Sequence, residues 1–166
     1  MKRAGMIKQL PRMVAVQSIN AGPLLEAFRT GAERVSSLPY AHSKISGINV
    51  AFTGDHALAA VRHSGGVAVG VKDEDVFVTQ RQIGAEEGIW TEPAGAAPVA
   101  AISELLSTGE IRKDEKIVCI LSGAGFKDPN LAEAEALEIS HREPIEFDVE
   151  AKGMEDFFKQ MERMSL

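Results

Sequence analysis

A serine and two glycines are the residues of this chain best placed to do chemistry. They fall in "LSGAGFKDPN", residues 121–130, directly after the apolar run Ile117-Val118-Cys119-Ile120. Ser122 offers a hydroxyl able to donate and to accept. Gly123 and Gly125 would let backbone come close to a ring or a phosphate. Three familiar chemistries fail on spacing. A phosphate loop needs GxxxxGK followed by Ser or Thr, whereas Gly123 to Lys127 is too short and Asp128 follows the lysine. The dinucleotide fingerprint GxGxxG meets Asp128 where its third glycine belongs. A hydrolase elbow wants GxSxG, but Ile120-Leu121 precede Ser122. Position still counts, because open α/β sheets bind ligands at the carboxyl ends of their strands. The plainer alternative is a tight strand-to-helix turn whose serine bonds local backbone, and spacing leaves both readings open.

Other reactive side chains carry less. An activated lysine needs a desolvated or cationic pocket. Nothing around Phe126-Lys127-Asp128 indicates one, so Lys127 is expected to face solvent or a structural partner. Of His42, His56, His63 and His141, only His56 and His63 share an expected helix, and they stand two turns apart. One metal ion is held readily by an i, i+4 pair, not by that spacing, so no metal is expected. Cys119 lies inside an apolar strand, where a thiol is usually inert packing.

The elements that must position Ser122 follow from pattern. RMVAVQS (12–18), GVAVGV (66–71) and KIVCIL (116–121) are short, Val/Ile-rich runs that read as buried parallel strands. Ile89-Trp90-Thr91 reads as a very short strand or extended turn. Pro23 suits a first helical position, and LLEAFRTGAERV follows it. A second helix opens near Asp55, buries Leu58 and Val61, and ends at Gly65-Gly66. Asp73 is expected to cap a third helix that runs to Gly88. AAPVAAISELLSTG is apolar on almost every face and predicts a deeply buried helix. Beyond the quoted loop, a short helix at 129–137, a strand at 144–149 and an amphipathic helix at 149–164 through Met154, Phe157, Phe158 and Met161 are expected. Residues 36–53 show no period. Alternating strands and helices predict an α/β fold: a three-layer sandwich around a mostly parallel sheet.

Composition bounds the class. The chain has 166 residues, 45% hydrophobic, with a net charge of -6. One domain over 1–166 is expected, with a sizeable core. A nucleic-acid face would need surplus Lys and Arg, which the chain lacks. No apolar run nears the roughly 20 residues that span a bilayer. A single cysteine and a basic N-terminus without an apolar core favour the cytoplasm.

"EEGIWTEPAGAAPVAAISELLSTGEIRKDEKIVCILSGAGFKDP", with "LPRMVAVQSINAGPLLEAF" and "ALAAVRHSGGVAVGVKDEDVF" ahead of it, resembles the C-terminal part of threonine synthase and its relatives. The resemblance implies part of the large domain of a fold type II pyridoxal-phosphate enzyme. It implies that Ser122 hydrogen-bonds the cofactor's pyridine nitrogen, that Gly123 and Gly125 lie beside the ring, and that Glu92 stands near its edge. A neutral hydroxyl partner would limit how strongly the ring draws electrons. The family's covalent lysine, phosphate loop and Asn-bearing loop all lie upstream of the segment matching "LPRMVAVQ". The chain is therefore expected to be a C-terminal portion of a lyase converting O-phosphohomoserine to threonine and phosphate. Alone, it is expected to bear no catalytic residue and to bind no pyridoxal phosphate. Its expected partners are a second copy or a separate N-terminal half, with an amino-acid substrate in the complete enzyme. The alternatives are a non-catalytic association module or a fragment of another pyridoxal-phosphate lyase or dehydratase.

Overall fold

The computed structural model describes residues 2–127, with the single positions 129 and 159. The chain divides into two compact units, Met1–Asp128 and Pro129–Leu166. The elements expected at 129–137, 144–149 and 149–164, and His141, lie outside the described residues.

Strand β1 is Val14–Ser18 and strand β2 is Val67–Val71. They pair in parallel, Val14 opposite Val67 through Ser18 opposite Val71. Between them run helix α1, Pro23–Thr30, and helix α2, Asp55–His63. Helix α3, Asp73–Glu87, and helix α4, Pro93–Ser107, follow β2. The α/β architecture with a parallel sheet is the one expected.

Two apolar layers hold the sheet. On one face Val69 and Val71 pack with Val76 and Ile83 of α3 and with Ala96, Ala97, Ala101 and Leu105 of α4. On the other, Ala15 and Ala68 meet Leu24 and Ala27 of α1 and Leu58 of α2. Small residues on α4 let it lie close to the strands, which is why its apolar run is so alanine-rich.

Local rules set the helix ends. Pro23 opens α1, and the Gln17 side-chain oxygen accepts from the Leu24 and Leu25 amides, both at 3.0 Å. The helix stops at Gly31, whose φ of 71° is the left-handed conformation a helix end needs. The run GAERV therefore lies past the helix. Arg62 of α2 donates to the Ala27 and Ala32 carbonyls at that end.

Two expectations are corrected. Asp73 is not a cap; Lys72 holds that place, and Asp73 is the first helical residue. Its carboxylate is drawn inward, only 4% exposed, by donors from β1 and from the loop before α2. It accepts from Ser18 Oγ at 2.8 Å, Ser43 Oγ at 3.0 Å and the Lys44 amide at 2.6 Å. The second correction concerns 116–121, which joins no ladder among the described residues. Val118 is 88% and Ile120 73% exposed. Backbone polar groups become a strand only beside a partner, and none of the described residues bonds this stretch. Ile89-Trp90-Thr91 shrinks to one antiparallel bridge, Thr91 to Ala124.

Candidate functional site

Ser122 directly follows 116–121 and lies beside the start of α4, where the Cβ of an alanine at Gly95 would meet its backbone. Thr91 secures the turn: its hydroxyl lies 3.2 Å from the Ser122 carbonyl and 3.1 Å from the Gly123 carbonyl. The Glu92 amide donates to the Gly123 carbonyl and the Gly125 amide to the Trp90 carbonyl. Gly95, one turn into α4, admits this contact, because a Cβ there would strike Thr91 Oγ1 and the Ser122 backbone. Thr91 is in turn held by Gln80 of α3, whose amide donates to the Thr91 carbonyl at 2.7 Å.

Glu92 is the hub of the site. Its side chain is 14% exposed. The Ser122 hydroxyl donates to Glu92 Oε1 at 3.4 Å, and Lys127 Nζ pairs with Oε2 at 3.2 Å. The lysine is 70% exposed and sits on a 3-10 turn, Gly125–Lys127. The structural partner expected for Lys127 is thus Glu92. Gly123 has φ 68°, and a Cβ there would meet the Glu92 carboxylate. A Cβ on Gly125 would meet the Trp90 indole. Both glycines are required by close approach within the turn itself.

Beside this hub lies a cavity of about 280 Å³. Glu92, Pro93, Ala94 and Lys127 form one wall, and Ile45, Ser46 and Gly47 the other. The second wall was not legible in the sequence, where 36–53 has no period. Gly47 was its one signal: a Cβ there would press on Ala94. The wall is anchored by the bonds from Ser43 and Lys44 to Asp73 already described. Burial pushes the Cys119 thiol up from its ordinary pKa, consistent with packing and not with a nucleophile. Among the described residues no cluster of His, Cys, Asp or Glu could hold a metal. No described helix is long and apolar enough to cross a membrane.

Known proteins resemble this chain in sequence and in fold. Residues 2–123 match the family described as pyridoxal-phosphate dependent enzyme. Threonine synthase of Methanocaldococcus jannaschii is 34% identical over 95% of the chain, which spans 38% of that protein. Threonine synthase of Methanosarcina acetivorans is 35% identical over 77% of the chain and 32% of its own length. The chain thus spans well under half of these relatives. Maize serine racemase superposes with a TM-score of 0.63 at 22% identity, over 76% of this chain and 40% of that one. L-serine ammonia-lyase of Rhizomucor miehei gives a TM-score of 0.65 at 14% identity, over 85% and 44%. These two likenesses speak for the fold, that of part of the large domain of fold type II enzymes. With most of its length matched by the family and a third of its residues shared with threonine synthases, the chain belongs to the pyridoxal-phosphate dependent enzymes.

Proposed function

We propose that this chain supplies the ring-nitrogen side of the cofactor pocket in a threonine synthase-like lyase of cytoplasmic amino-acid biosynthesis. The observation that carries the reading is the Ser122 hydroxyl at a glycine turn, bonded to Glu92, which itself lines the adjoining cavity. The residues present fit one edge of a pyridoxal ring. Ser122 would meet the ring nitrogen, Gly123 would let the turn lie beside the ring, and Gly125 would keep the turn tight against Trp90. With the ring in place the Ser122 hydroxyl would turn its hydrogen from Glu92 to the ring nitrogen, and Lys127 would keep the Glu92 carboxylate paired so that no net charge faces the ring. When bound, the cofactor draws electrons from the substrate's α-carbon; a hydroxyl at its nitrogen moderates that pull. This chain's own task is to bind the ring's nitrogen edge and to orient it. The reaction would convert O-phosphohomoserine to threonine and phosphate, with the remaining groups carried by polypeptide beyond this chain.

A purified full chain treated with pyridoxal phosphate is expected to show no new visible band. The chain is then mixed with the portion of the M. jannaschii threonine synthase that lies outside the 161-residue match. Visible absorbance and threonine formation are expected to appear. Ser122→Asp should alter both the absorbance and the rate, while a spectrum and rate indifferent to Ser122→Asp and Ser122→Ala would overturn the assignment.

A further inference from the structure

A second cavity, of about 520 Å³, lies at the carboxyl end of β2 and is bounded by α1, α3 and α4. Its volume is in the range of small-molecule sites, and it shares no lining residue with the cavity beside Glu92. Both signs of charge line it. Arg29 of α1 and Lys72 at the end of β2 are cations; Asp75 of α3 and Glu104 of α4 are anions. All four are exposed, and none of these charged groups has a hydrogen bond or ion pair among the described residues. Gly70 adds backbone to the lining. The Ile19 amide donates to the Val71 carbonyl, so the Val71 backbone groups face β1 and alternation turns those of Gly70 away from it. The Gly70 amide and carbonyl therefore lie on the open edge of β2, without a partner among the described residues. Apolar surface completes the lining: Ile19 is 49% and Val78 45% exposed.

A simple anion in this cavity would meet Asp75 and Glu104, and a simple cation would meet Arg29 and Lys72. A neutral apolar molecule would strip water from four charges and pair none of them. A ligand with one charge of each sign and a short apolar body answers the whole lining. We propose that the cavity binds a free α-amino acid with an aliphatic side chain, as its zwitterion. Arg29 and Lys72 hold the carboxylate, which also accepts from the Gly70 amide. The ammonium donates to the Gly70 carbonyl and lies among Asp75 and Glu104. The side chain covers Ile19 and Val78. An amino acid carries its donor and its acceptor one residue apart, the same arrangement that the edge of a strand pairs. The site is separate from the Ser122 turn, and the inference stands independently of the reaction proposed above.

The test titrates the full chain with L-isoleucine and follows its backbone amides by NMR. Saturable shifts are expected at Gly70, Lys72 and Val78, with the amides of Ser122 to Gly125 unmoved. Isoleucine methyl ester lacks the carboxylate and the deaminated acid lacks the ammonium. Each should bind at least about tenfold more weakly than isoleucine. Arg29→Gln and Glu104→Gln should each weaken isoleucine about tenfold while leaving the fold intact, since neither side chain has a bond to lose among the described residues. Absence of a saturable shift, shifts centred on the Ser122 turn, or analogues that bind as well as isoleucine would overturn the proposal. So would two variants that bind as the parent does. Equal binding of N-acetyl-isoleucine amide, which carries no charge, would assign the Gly70 edge to peptide backbone and overturn it as well.

Discussion

Asp73→Asn tests how the loop wall of the pocket is built. The native carboxylate accepts from two hydroxyls and one amide, from Ser18, Ser43 and Lys44. Asparagine keeps the shape and one acceptor oxygen but puts an NH2 group where the other accepted. The Lys44 amide lies at 2.6 Å from Oδ2 and cannot rotate away, whereas the two hydroxyls can. Asparagine therefore keeps its oxygen on that amide and turns its NH2 toward Ser18 and Ser43, whose hydroxyls lose their shared acceptor, a cost of about 1–3 kcal/mol for a buried group. The surviving bonds lose their charge assistance as well, so a total of about 3 kcal/mol is expected. For a domain stable by roughly 5–15 kcal/mol this is a large fraction. Urea unfolding followed through Trp90, the single tryptophan, gives the difference directly. Hydrogen exchange should place the damage at residues 43–48. A midpoint within about 0.5 kcal/mol of the parent would refute the reasoning. So would a stability loss that leaves exchange at 43–48 unchanged.

Two further outcomes are expected. Gly123→Ala forces a side chain into φ 68° and against the Glu92 carboxylate. It should cost about 1–3 kcal/mol and shift Trp90 emission, because the same turn packs on that indole; unchanged stability and emission would contradict the geometry. Asp55 has its pKa lowered, first by the Val35 amide and then by Arg34. Its folded value lies below its unfolded one, so its contribution is present above the ordinary carboxylate range and is lost as pH falls through the folded value. Asp55→Asn should therefore flatten the acid limb of a stability-versus-pH curve, and an acid limb identical to the parent's would count against this bond.

Sequence reading located the described α-helices and two of the strands because each announces itself locally. Pro23, Gly65 and Gly88 punctuate the chain, and Val-rich runs mark β1 and β2, whereas the stop at Gly31 was read through. The Ser122 turn was legible for the same reason. The stretch 116–121 has the right residues for a strand, but strand formation depends on a neighbour, which composition does not encode. Asp73 looked like a cap because it precedes an acidic first turn; distant hydroxyls at Ser18 and Ser43 captured it instead. The pocket wall at Ile45–Gly47 left almost no trace, since an irregular loop is placed by the bonds at its ends. Lys127 was readable only as a charge in need of a partner, and the fold supplied Glu92, 35 positions earlier.

The β1–β2 register also fixes the order of events in folding. Every rung joins residues 53 apart, as 67 − 14 and 71 − 18 show. Closing a loop of that length costs about 3.5 kcal/mol of chain entropy beyond a constant, and the first rung returns little of it. The intervening helices must therefore condense before the ladder can zip. Refolding speed should accordingly respond to substitutions between α1 and α2 more than to those within either strand, with the sheet arriving late as a consequence of helix docking.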